Sequence, residues 1–98
     1  MDCKVILSPR AIQDLREIVR YTSLDDAHSA EKFGYALIDA ALSLGKLPER
    51  GRFVPEFADG STRELIYGRY RIVYRINPEQ KTVWISRFWH SARGTPEA

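Results

Sequence analysis

The residues of this 98-residue sequence whose types and spacing can do chemistry are arginines and one histidine, and they gather in its C-terminal third. Arg71 and Arg75 flank Val73 at alternate positions. On a β-strand, alternate residues share a face, so the two guanidiniums would project together. A guanidinium keeps its charge and presents a planar fork of donors, which suits a phosphate or a carboxylate. His90 follows, with Arg87 and Arg93 close on either side. An imidazole beside fixed cations can serve as a general acid or base. Arg63 would join this cluster if the sheet curves. Trp89 and its aromatic neighbours offer stacking surfaces for bases. Each feature also has a plain structural reading. The arginines can hold surface ion pairs on a solvated sheet face, His90 can cap a strand end, and Tyr70 and Tyr74 read as core.

Other chemistry is missing from the sequence. Cys3 is the sole cysteine, so an internal disulfide and a cysteine metal cluster are both excluded. His28 lies far from His90, and no spacing suggests a metal site. There is no glycine-rich phosphate loop, nucleophile elbow or paired-carboxylate constellation, so neither cofactor nor metal is expected. The 44% apolar and 29% charged composition is that of an ordinary globular protein. No apolar run approaches the ~20 residues of a membrane span. Asp2 and Lys4 interrupt the start, which does not read as a signal peptide. A cytoplasmic location is expected.

The net charge of +2 hides an asymmetry. Residues 1–60 carry 8 Lys/Arg against 10 Asp/Glu, whereas residues 61–98 carry 7 against 3. The basic C-terminal part suggests an anionic partner.

These residues need a scaffold, and the pattern supplies one. Cys3–Leu7 is a short apolar run that reads as a strand. Ser8-Pro9 reads as a helix start, with a capping hydroxyl and a proline suited to the first turn. Ala11, Ile12, Leu15, Ile18, Val19 and Thr22 then mark one helical face, with Asp14 among the charged residues opposite. Asp25 or Asp26 caps a second helix, which ends at Gly45. The connection is so short that the helices form an antiparallel hairpin. Leu47–Ser61 is a long loop, tacked down by Phe53 and Phe57. Thr62–Tyr67, Tyr70–Ile76 and Val83–Trp89 read as three strands, and Ser91–Ala98 as a tail. Tyr70, Ile72, Tyr74 and Ile76 should face the helices, and Arg71, Val73 and Arg75 the other side. The expectation is one domain over residues 1–98. It has an α+β fold, β-α-α-β-β-β, with the helix hairpin packed on a small curved antiparallel sheet.

With these residues in view, the chain resembles the RelE/ParE superfamily, the toxins of bacterial type II toxin–antitoxin modules. The resemblance rests on V-I-L-S-P-R-A-I-Q-D-L-R-E-I-V-R-Y (Val5–Tyr21), G-R-Y-R-I-V-Y-R-I (Gly68–Ile76) and V-W-I-S-R-F-W-H-S-A-R (Val83–Arg93). It covers nearly all of residues 4–93 and implies one of two mechanisms. RelE-type members are endoribonucleases that cut mRNA on the ribosome. Under that type Arg71 would hold phosphate, His90 would be acid or base, and Arg87 or Arg93 would stabilise developing charge. ParE-type members inhibit DNA gyrase by binding it. Under that type Arg63, Arg71, Arg75, Trp89 and Arg93 would contact the target. The RelE pattern departs here: Ser91-Ala92 follow His90 where an arginine is common, and no tyrosine follows Tyr74. The helix hairpin and the chain ending are closer to ParE. The resemblance also implies a cognate antitoxin, operator DNA reached only through it, and no membrane. A further alternative is an inactive homologue that serves only as a co-repressor subunit.

Overall fold

The computed structural model describes residues 2–97; Met1 and Ala98, the last residue of the expected tail, lie outside them. The chain begins with strand β1 (Lys4–Leu7), helix α1 (Pro9–Thr22) and helix α2 (Ala27–Leu42). Short 3-10 turns at Ser43–Gly45 and Pro48–Arg50 lead to strand β2 (Arg52–Phe53). Strands β3 (Thr62–Tyr67), β4 (Tyr70–Asn77) and β5 (Thr82–His90) complete the order.

The helix starts are set by side chains. Ser8 Oγ accepts from Ala11 N–H at 2.9 Å, and Asp26 Oδ1 accepts from His28 N–H at 3.0 Å. Each oxygen satisfies a donor that the first turn leaves free. The helices then approach closely: a Cβ on Gly34 would meet the Val19 side chain at 2.7 Å. Residue 34 therefore stays small.

The strand order is β1-β5-β4-β3-β2. β2, β3, β4 and β5 run antiparallel, but β1 runs parallel to β5. The sheet is therefore mixed, where the sequence suggested an antiparallel one. The cause is the connection: two helices and a hairpin separate β1 from β5, long enough to return the chain in the same direction. The short strand β2 lies inside the expected loop.

One sheet face packs on the helices through Ile72, Tyr74, Val83, Ile85 and Phe88, meeting Ala11, Leu37 and Leu44. The alternation expected along β4 holds, with Tyr70, Ile72, Tyr74 and Ile76 on this side. Tyr74 also anchors the loop. Its hydroxyl donates to the Pro48 carbonyl at 2.7 Å and accepts from Gly51 N–H at 2.9 Å.

The far face carries a second, smaller cluster of Val54, Val73 and Trp89, with Phe57 against it. So Phe57 tacks the loop down as expected, whereas Phe53 stays exposed beneath the Arg63 guanidinium. The β4–β5 register slips between Val73 and Tyr74, which pair with Arg87 and Ile85. Ser86 is the extra residue of this bulge. The slip turns Arg87 and Trp89 onto the far face and Phe88 and His90 toward the helices.

Candidate functional site

The far face brings Arg71, Arg75, Arg87 and Trp89 together, as strand neighbours on β4 and β5. Two of these arginines are already occupied. The Arg71 side chain is only 10% exposed. Its Nε donates to Glu64 at 2.5 Å, and its two terminal nitrogens each donate to Glu56 at 2.8 Å. One of them also reaches the Gly94 carbonyl at 3.4 Å. Glu64 is fully buried and shares its other oxygen with Arg52 at 2.8 Å. Thus one guanidinium ties β3, the loop after β2 and the tail together.

The same geometry repeats at Arg87. Its Nε and one terminal nitrogen donate to Asp14 of α1 at 2.7 and 3.0 Å, and the other donates to Glu97 at 3.2 Å. Asp14 also accepts from Phe88 N–H at 3.1 Å, at the β5 edge beyond the last β1 pair. Both side chains are about 95% buried. Asp14 was expected on the exposed side of its helix; the buried arginine across the sheet edge draws it inward.

The electrostatics follow from these contacts. The Glu56 hydrogen bonds raise Arg71 further above the ordinary arginine range, and Asp14 does the same to Arg87. In return, the Arg71 guanidinium lowers Glu56 from its ordinary 4.5 to about 2. Asp59 is lowered too, chiefly by the Thr62 and Ser61 N–H groups. A carboxylate lowered in the folded state stabilises the fold above its unfolded pKa. That contribution is lost as pH falls from about 4.5 toward 2. The urea midpoint is therefore expected to drop across this window. Glu56→Gln should flatten part of the drop; an unchanged slope in that variant would count against the Glu56–Arg71 contact.

His90 points elsewhere. It pairs across the strands with Tyr70, and their rings meet edge to face at 5.0 Å. Both lie on the helix side of the sheet, opposite Arg71 on the neighbouring residue pair. His90 Nδ1 accepts from Ala92 N–H at 3.0 Å, so the neutral ring keeps its proton on Nε2. His90 does share a cleft of about 340 Å³ with Arg93, Tyr21, Tyr70, Asp14 and Glu17. Arg93 also stacks over Trp89 at 4.1 Å. Two carboxylates thus line the same cleft as the cation and the imidazole.

Arg63 does not join them. It sits on the helix side at the far end of β3, where it donates to the Gly51 carbonyl at 2.9 Å. Arg75 remains on the far face with its side chain 53% exposed. Its Nε donates to Thr62 Oγ1 at 3.1 Å, and a terminal nitrogen lies 3.8 Å from Asp59. Among the described residues, no group of three or more His, Cys, Asp or Glu residues could hold a metal ion. No helix there is long and apolar enough to cross a membrane.

Trp84, one of the aromatic residues the sequence offered for stacking, was not among the expected target contacts. It pairs with Arg75 across the strands and is 43% exposed, whereas Trp89 is buried. The signal was available: Trp84 and Arg75 occupy the outward positions of adjacent strands once the hairpin is paired from its turn.

Solved structures that this chain is similar to include those of two toxin–antitoxin systems. The RelBE2 toxin–antitoxin complex of Mycobacterium tuberculosis matches with a TM-score of 0.72 at 26% identity, over 92% of this chain and 99% of that chain. The chromosomal ParDE system of P. aeruginosa matches in fold with a TM-score of 0.74 at 20% identity, over 90% of this chain and 95% of that chain. The fold is thus that of the RelE/ParE superfamily of toxins. A family model of the ParE toxin of the type II toxin–antitoxin system parDE matches residues 5–94. The chain belongs to that family. No curated protein sequence matches it.

Proposed function

We propose that this toxin acts by binding a protein target, DNA gyrase, and that it does not cut RNA. The observation that carries this reading is the state of Arg71. A nuclease needs its phosphate-holding cation and its acid or base to converge on one phosphate. Arg71 is buried between Glu56 and Glu64, and His90 lies on the opposite face of the sheet. Arg87 is likewise held by Asp14 and Glu97. Releasing Arg71 to a phosphate would leave the buried Glu64 with only the exposed Arg52, and releasing Arg87 would leave the buried Asp14 without its cation, at a cost of several kcal/mol. Membership in the ParE toxin family supports the same reading. A cognate antitoxin neutralises the toxin, in keeping with the toxin–antitoxin complexes whose folds it shares.

The test sets two activities of the purified chain side by side. Supercoiling by DNA gyrase should be blocked, and mRNA on programmed ribosomes should stay intact. Cleaved mRNA with untouched gyrase would make the chain a RelE-type endoribonuclease. A chain that leaves both untouched, and is harmless without its antitoxin, would be an inactive binding subunit.

A further inference from the structure

The far face of the sheet is covered over one half and bare over the other. Toward the tail, the loop after β2 and residues 94–97 close over Val73, Trp89 and Arg71. Toward the β4–β5 turn it is open among the described residues, with Trp84 and Arg75 both about half exposed. There Ile6, Trp84 and Arg75 form one row across β1, β5 and β4, with Lys4 next along β1 on the same face. We infer that this bare half, centred on Trp84 and Arg75, is the surface with which the toxin grips its protein target. The inference rests on the protein-binding reading proposed above and gives it a location.

Exposure and charge both point to this half. Trp84 leaves 43% of its surface in water, an apolar area that gains by being covered. Arg75 is held more loosely than Arg71 or Arg87. Its Nε is held by the Thr62 hydroxyl, but a terminal nitrogen approaches Asp59 only to 3.8 Å, so that end of the guanidinium can turn to a partner. Tryptophan and arginine at the centre of a patch are the residue types that dominate binding energy at protein interfaces. Beside them lies a shallow cleft of about 500 Å³, lined by Ile76, Asn77, Pro78 and Glu79 as well. Asn77 Oδ1 accepts from Gln80 N–H at 3.1 Å and fixes the turn at its rim. The matching surface has an apolar socket for Trp84 and carboxylates placed against Lys4 and Arg75. That pattern fits a folded protein surface better than a nucleic acid strand, because Asp59 and Glu79 stand beside the cations.

Trp84→Ala and Arg75→Glu test this, each measured for inhibition of gyrase supercoiling, for binding of the cognate antitoxin, and for thermal unfolding. Both positions are exposed, so the melts should stay close to wild type. Each variant should need about 30-fold more toxin for half-inhibition, with antitoxin binding retained. Unchanged inhibition in both variants overturns the location and leaves the protein-binding reading intact. Loss of antitoxin binding together with inhibition assigns the face to the antitoxin and overturns the inference. Failure of the wild-type chain to inhibit gyrase overturns the protein-target reading and this location with it.

Discussion

Arg71→Ala is expected to cost about 3–5 kcal/mol of folding stability, because it leaves the buried Glu64 carboxylate with only the exposed Arg52 and releases Glu56. For a domain of this size, that corresponds to a fall in Tm of at least ~12 °C. Total stabilities of about 5–15 kcal/mol leave little margin for such a loss. An inactive Arg71→Ala protein therefore says nothing about catalysis until its folding is measured. A paired change separates the two meanings. Removing Glu64 and Arg71 together, as Glu64→Leu with Arg71→Met, should recover part of the loss, since neither partner is then left alone. Denaturant unfolding of the single and double variants gives the comparison. A loss below about 1 kcal/mol for Arg71→Ala would mean that the carboxylate cage is not holding this fold.

Asp14→Ala should be of similar size, about 3–5 kcal/mol, for a related reason. It removes the acceptor of two Arg87 donors and of Phe88 N–H, and so orphans a buried guanidinium and a backbone group at once. Because Asp14 joins α1 to the β5 edge, the loss should appear as a lower urea midpoint for the whole chain. Arg87 retains Glu97 as a partner, but that carboxylate is exposed and compensates little. A midpoint equal to wild type would show that water replaces Asp14 without penalty.

The parts of the fold set by local pattern were legible in the sequence. Ser8-Pro9 and the Asp25-Asp26 pair marked the helix starts, with Asp26 the cap, and the spacing of Ala11, Leu15 and Ile18 marked the buried side of α1. Thr62–Tyr67 was bounded by the Gly68 turn, and Tyr70–Ile76 was marked by its alternation. What stayed hidden depends on partners distant in the chain. Nothing near Lys4–Leu7 says that this strand will lie parallel to β5. The Ser86 bulge was equally silent, yet it decides which way Arg87, Trp89 and His90 point. The arginines stood out in the sequence, but their condition was not readable. Glu56, Glu64 and Asp14 are separated from their arginines by 7 to 73 positions, and only the fold reveals that these carboxylates consume the charge. Trp84 was counted only as a stacking or core aromatic because a strand apolar on both faces reads as central, while here one end of its outer face is exposed.

The most direct measurement follows the Arg71 Nε–H resonance by NMR while single-stranded RNA is added to the folded toxin. With Glu64 and Glu56 holding the guanidinium, that proton should exchange slowly and its shift should stay fixed through the titration. A shift that moves and saturates with RNA would show Arg71 leaving its carboxylates for phosphate, and would contradict the protein-binding account.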